Sequence, residues 1–407
     1  MQRTTFAMAR LLAGLAVTIF IVSAAWGGTE TRLYNFGGTQ GKTPNGGLIF
    51  DAAGNLYGTT QTGGLNNAGV VFQLHKTSKG TWIENILYNF VGPTDGSNPL
   101  AGLIFDGAGN LYGTTSAGGT GTQGTVFELS PNGLGGFNET TLYSFSGGSD
   151  GGYPEAKLVF DGAGNLYGTT AQGGTTNMGT VFELSPSGSG WTETVLHSFS
   201  GADGATPNAE LILDGSGNLY GTTYAGGSKN YGTAFELVQA DAWAETVLHD
   251  FKAGADGLHP QGGLLSVGGV LYGTTTSGGG AYLGIVFALT NHITSYTEKE
   301  YIFFRGQGSD GAEPVGTLVY NSANNTLYGA TALGTFQSGD SAGTIFSLQP
   351  GGSISGVYTF VGGLIENSTH DGEVPQGGLV LDSAGNLYGS TQKGGLSAGG
   401  TVFEITP

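Results

Sequence analysis

Six residues that the internal repeats of this chain do not dictate could do chemistry together: His259, Glu313, Phe336, Asp340, Glu366 and His370. A histidine beside a carboxylate can pass a proton at neutral pH. An extracellular polysaccharide lyase or hydrolase could use His370 or His259 as base, with Glu366, Glu313 or Asp340 as partner. A module that only binds its ligand would use the same groups without a reaction. Motifs with stricter spacing are missing from the sequence: it has no HExxH, no paired CxxC, no G-x-S-x-G and no phosphate-cradling loop with lysine. Cysteine is absent too, which excludes disulfides, thiolate metal sites and a cysteine nucleophile. We therefore expect no metal and no cofactor, and assign no residue as catalytic.

The elements that must position these residues come from repetition. GNLYGTT begins at Gly54, Gly109, Gly164 and Gly217, GNLYGST follows at Gly385, and weaker copies run from Val270 and Thr326. The central tyrosines are Tyr57, Tyr112, Tyr167, Tyr220, Tyr272, Tyr328 and Tyr388, spaced 55, 55, 53, 52, 56 and 60 residues apart. Each period holds four short apolar or alternating runs, over 47–51, 55–60, 69–74 and 84–90 in the first copy. These read as strands a, b, c and d of one propeller blade. Asp51, Asp106, Asp161, Asp214 and Asp382 begin the a–b turns, where a carboxylate can accept from backbone N–H groups two residues on. In strand c, Phe72, Phe127, Phe182, Phe235, Phe287, Phe346 and Phe403 recur inside an unbroken apolar run, as expected of a sheet covered on both faces.

The ends of the chain complement each other. A lone d-type strand at residues 31–36 matches residues 86–90, and the chain stops after a c-type strand at residues 401–405. The expected fold is all-β: a seven-bladed β-propeller of four-stranded blades, in which the N-terminal outer strand completes the last blade. Pairing the ends removes the free edges that an open ring would leave. A parallel β-helix has shorter turns than this period and offers no reason for complementary ends.

These segments, with the G-[TV]-V-F-E run of strand c, resemble the GloVer tandem-repeat family of exported bacterial proteins across essentially the whole mature chain. Copies five and six depart from the pattern, with Val270 and Thr326 in place of the turn asparagine. The resemblance implies export but no particular activity. A looser likeness to kelch blades lies in the Tyr…Gly-Gly order and in an aromatic residue before the outer strand at Trp82, Phe137, Trp191, Trp243 and Tyr296.

Residues 1–25 have the form of an export signal: Arg3 and Arg10, an apolar run over 11–22, then small residues. That run is short for a bilayer span, so no membrane attachment is expected after cleavage. Residues 26–407 then form one domain, secreted or periplasmic and monomeric. With 30 acidic against 12 basic residues and a net charge of −18, the surface repels phosphate backbones, and nucleic acid is not an expected ligand.

With strand a innermost, the d–a and b–c loops open on one rim. Six d–a loops carry Asp-Gly…Pro at Asp95, Asp150, Asp203, Asp256, Asp310 and Asp371, and Gln40 stands in the first. A cation or a sugar could use such a rim, but sevenfold recurrence fits turn chemistry better, so these aspartates read as structural. Departures from symmetry carry more information. The last d–a loop is longer, over residues 361–370, as is the sixth b–c loop over 334–343, and both lie on that rim in neighbouring blades. They bring Phe336, Asp340, Glu366 and His370 towards His259 and Glu313. The functional expectation is a secreted binding or scaffold module for carbohydrate or a surface protein; the alternatives are the lyase or hydrolase above and a purely structural surface protein.

Overall fold

The computed structural model describes residues 28–292, 295–305, 310–334, 342–361 and 371–407. The export-signal segment lies outside them. Seven antiparallel sheets follow one another along the chain, and among the described residues there is no α-helix. The first blade pairs Ile49–Phe50, Leu56–Thr60, Val70–Lys76 and Trp82–Asn89 in that order. Blades two to four repeat it, and blade six runs from Ala312–Asn321 to Ile354–Thr359. In blades five and seven the inner strand comes in two pieces. The last blade takes its outer strand from the N-terminus: Thr29–Asn35 pairs with Thr401–Thr406.

Aromatic stacking holds each blade to the next. The d-strand phenylalanine of one blade meets the c-strand phenylalanine of its neighbour at every interface, with ring centroids 4.9–5.1 Å apart from Phe36–Phe72 to Phe360–Phe403. Edge-on geometry at this distance adds to the burial of two large rings. Phe36 and Val402 of the last blade share one buried cluster with Leu48, Leu56 and Phe72 of the first, so the ring is closed by core and not by hydrogen bonds alone. The glycine of LYGTT makes room for this packing: a methyl on Gly168 would stand 2.6 Å from Phe182 Cζ and 2.9 Å from Leu158 Cδ2.

A second seam runs nearer the axis. The residue before each loop proline, Thr43, Asn98, Tyr153, Thr206, His259, Glu313 or Val374, has φ of 56–60°. That left-handed conformation is costly for a non-glycine residue, and more so for β-branched Val374. All seven are compensated in one way: the N–H donates at 2.8–2.9 Å to a carbonyl just before strand c of the preceding blade, including Thr43 N to Gly399 O across the closure. The proline that follows then sits over the glycine opening that strand c, and a Cβ on Gly400 would fall 2.6 Å from Pro44 Cδ.

The repeat predicts five-residue inner strands, but in blades one to four the paired segment is only two residues long. The cause is the stretch after the proline. There the backbone turns from strand b toward the neighbouring blade: Thr59 Oγ1 donates to Ala101 O at 2.8 Å, and Ser390 Oγ to Gly46 O at 3.3 Å across the closure. In blade six the same stretch is a bulge between Val315 and Val319. A bulge re-aims side chains, and Val315 and Thr317 of this one line the cavity described below.

Carboxylates divide into two classes. In the a–b turn Asp51 accepts from Ala53 N, Asn55 N, Asn55 Nδ2 and the Tyr57 hydroxyl at 2.7–3.0 Å. Burial works against the charge at Asp51, Asp106, Asp161 and Asp382, but the N–H and side-chain donors outweigh it and hold each carboxyl below its usual range. Between blades the balance reverses. Burial pushes Glu84 up to about 7, although the Tyr34 hydroxyl donates to it at 2.8 Å. Burial together with the loop aspartate of the preceding blade raises Glu193 (Asp150) and Glu245 (Asp203) to about 7.

These glutamates hold protons more tightly folded than unfolded. Their contribution to stability is full below the ordinary glutamate range and is lost as pH rises through about 7. The turn aspartates contribute above the ordinary aspartate range and lose that contribution as pH falls through their lowered values. The melting temperature should therefore fall between about pH 5 and pH 8. Replacing Glu84, Glu193 and Glu245 together by glutamine should flatten that fall; a triple variant with the parent's slope would show that the slope has another source.

Candidate functional site: the central channel

The stretches after the seven prolines, with the inner strands that follow them, line a cavity of about 870 Å³ on the axis of the ring. Apolar side chains such as Leu48, Ile104, Leu158 and Leu318 line the cavity, and with them Gly46, Ala101, Ala156, Ala209, Gly262, Gly316 and Gly377, which take the middle position of each stretch. A side chain larger than these would strike the next blade, as a Cβ on Gly377 would stand 2.6 Å from Gly46 O. The flanking positions differ from blade to blade, and there the symmetry breaks. They are Asn45, Leu100, Glu155, Asn208, Gln261, Val315 and Gln376 on one side of the small residue, and Lys157, Glu210 and Thr317 among glycines on the other.

All charge in the lining lies in blades three and four. Lys157 Nζ stands 3.5 Å from Glu210 Oε2 across the blade boundary. Glu210 has space because the facing position in blade five is Gly263, where a Cβ would fall 2.5 Å from Glu210 Cγ. Glu155 is half-buried and makes no hydrogen bond or ion pair among the described residues, and burial raises its carboxyl above the usual range. Asn208 Oδ1 is shielded from solvent and accepts no hydrogen bond among the described residues. On the other side of the mouth the polar groups satisfy one another: Gln392 Nε2 donates to Asn45 Oδ1 at 2.5 Å, and Asn45 Nδ2 to Gln61 Oε1 at 3.0 Å.

An aromatic group lies in the neighbouring loops of blades four and five, outside the cavity lining. Tyr224 holds in blade four the place that Gln392, a lining residue, holds in blade seven. Its ring stacks on His259 with centroids 4.5 Å apart and planes 14° apart, and Tyr231 meets the same histidine edge-on at 6.1 Å. His259 is fixed on three sides: its N–H donates to Tyr231 O, Nδ1 lies 2.9 Å from Tyr224 O, and its carbonyl accepts from the Thr276 hydroxyl. Tyr153, half-buried, directly precedes Pro154 and Glu155.

Of the residues that the sequence singles out, His259 and Glu313 are described, and both are left-handed residues before a proline, in neighbouring blades. Glu313 is exposed, whereas His259 belongs to the aromatic group. Phe336, Asp340, Glu366 and His370 lie outside the described residues. The loop aspartates bind their own loops. Asp95 accepts from Val91 N, Gly92 N and the Tyr88 hydroxyl, Asp150 from Ser146 N, and Asp371 from Val361 N and the Tyr358 hydroxyl. Asp203 and Asp256 face His197 and His249 at 3.1 and 2.8 Å, where those histidines replace the tyrosine, and Asp310 accepts from Arg305 N at 2.7 Å. Among the described residues no group of three or more acidic or histidine side chains could hold a metal ion.

The repeat pattern described as the Gloeobacter/Verrucomicrobia repeat matches residues 16–162, 134–305 and 246–407. The chain belongs to that family. No curated protein matches this Gloeobacter/Verrucomicrobia repeat protein in sequence. Solved structures match its fold. The periplasmic gluconolactonase of Pseudomonas aeruginosa is 15% identical, with a TM-score of 0.51, over 86% of this chain and 95% of that one. A Bacteroides uniformis protein assigned provisionally as a 6-phosphogluconolactonase is 13% identical, with a TM-score of 0.51, over 80% of this chain and 86% of that one. At such identities the likeness concerns the fold. Among the described residues of the repeat protein, no helix is long and apolar enough to cross a membrane.

Proposed function

We propose that this exported repeat propeller binds carbohydrate, and that the sugar enters the central channel over blades three to five. The observation that carries the reading is the one-sided charge of the lining: Glu155, Lys157, Asn208 and Glu210 line the cavity in blades three and four, the rest of the wall is apolar, glycine or uncharged polar, and the Tyr224–His259 stack lies in blades four and five. Carboxylates and amides match the hydroxyls of a sugar, and aromatic faces match its C–H surface. This site differs from the insertions over blades six and seven to which the sequence points. A glycan array followed by titration calorimetry tests it. Tyr224→Ala and Glu210→Gln should each weaken the best ligand by about tenfold or more, which is about 1.4 kcal/mol. Full-strength binding by both variants would contradict the channel site.

A second reading, hydrolysis of a sugar-derived lactone, is favoured by the two glutamates. Glu155 has a raised carboxyl and no partner, and Glu210 is paired with Lys157. Water would add to the lactone carbonyl as Glu210 takes its proton; the ring C–O bond would break as Glu155 protonates the leaving oxygen. The gluconolactonase named among the fold neighbours makes gluconolactone the first substrate to try. Acid release above the spontaneous rate that disappears in Glu155→Gln would support hydrolysis; a rate equal to the buffer's would leave binding alone.

A further inference from the structure

The charges in the channel do not cancel. Its lining holds two carboxylates and one ammonium, and the ammonium is taken: Lys157 reaches Glu210 at 3.5 Å. Glu155, on the same inner stretch as Lys157 and two residues before it, is left facing the cavity without a partner among the described residues. A half-buried carboxylate with no counter-charge is a cost to the empty protein, and a ligand cation placed there removes it. The cavity volume falls within the range of about 300–1,000 Å³ usual for small-molecule sites, so there is space for a sugar ring as well as its cation. Asn208 lines the same cavity at the corresponding position of the next blade.

Resting on the carbohydrate reading above, we propose that the preferred ligand is an amino sugar with a free primary ammonium group, and that Glu155 is the partner of that ammonium. The ammonium occupies the charge that Lys157 leaves uncompensated, and the hydroxyls face Asn208 and the Lys157–Glu210 pair. Arginine-like or aliphatic cations share the charge but lack the hydroxyls, and the strongly acidic chain as a whole draws any of them toward the ring.

Calorimetric titrations of the full mature protein with glucosamine, glucose, N-acetylglucosamine and n-butylamine, at a pH where the amines are charged, separate the possibilities. Glucosamine should bind at least about tenfold more tightly than each of the other three. Glu155→Gln should bring glucosamine down to the level of glucose. Equal binding of all three sugars would overturn the amino-sugar inference while leaving a carbohydrate site in place. Butylamine binding as tightly as glucosamine would also overturn it, as a cation site without sugar recognition. If none of the sugars binds, the carbohydrate reading itself fails. Should Glu155→Gln not fold, the parent protein decides through pH. The advantage of glucosamine over glucose should shrink as pH falls and Glu155 takes up its proton, and an advantage independent of pH would contradict the assignment.

Discussion

Removing residues 29–36 should make the protein aggregate and lower its melting temperature. The deletion takes away the whole outer strand of the last blade, its ladder from Thr29–Thr406 to Asn35–Thr401, and Phe36 from the buried cluster between the last and first blades. Loss of a fully buried phenylalanine alone costs about 3–5 kcal/mol. The remaining edge, Thr401–Thr406, would be left long, apolar and unpaired, which is the template for intermolecular pairing. A deletion variant that sediments as a monomer and melts as the parent does would show that the ends do not close the ring.

The second large effect is expected at a position where the repeat permits only glycine. Gly168→Ala places a methyl 2.6 Å from Phe182 Cζ, inside the aromatic seam that joins two blades, and nothing there is flexible enough to yield cheaply. Overpacking of this kind costs about 1–3 kcal/mol or more. Gly164→Ala, four residues earlier, is the control. It also departs from the repeat, but its Cβ would meet nothing within 4 Å, and only its φ of 89° is strained. Its expected cost is about 1 kcal/mol. Chemical denaturation of both variants should rank them in that order, and equal losses would mean that backbone conformation, not the Phe182 contact, fixes the glycine.

Much of the fold is legible in the sequence because repetition turns single residues into patterns. The d-strand and c-strand phenylalanines recur at fixed places, and these are the rings that meet between blades. Complementary ends foretell the Thr29–Asn35 strand in the last sheet. The a–b aspartates foretell their own turn, since Asp51 accepts from the N–H groups two and four residues on. Strand a is less legible, because Leu48 and Ile49 continue an apolar run whether or not the residues before them pair with strand b. Only the contacts between neighbouring blades show that the backbone has already turned away.

The channel wall is the part the sequence conceals. Glu155, Lys157 and Glu210 sit in an otherwise small-residue stretch after proline, where variation between copies looks like loop drift, whereas insertions draw attention by length. A signal does exist: aligned copy by copy, the positions flanking the small residue are glycine, amide or aliphatic in most blades and charged only in the third and fourth. Reading it requires knowing that this stretch faces the axis. His259 stands out in the sequence as a residue that the repeat does not dictate, but its stack on Tyr224 joins the end of strand b in one blade to the loop of the next and has no local signature.

The most direct measurement is a crystal structure of the protein soaked with its best-binding sugar. Density for the sugar should lie in the central channel against Glu155, Asn208 and Glu210, on the side of the Tyr224–His259 stack. Sugar density over blades six and seven, or on the opposite face of the ring with the channel empty, would contradict the account.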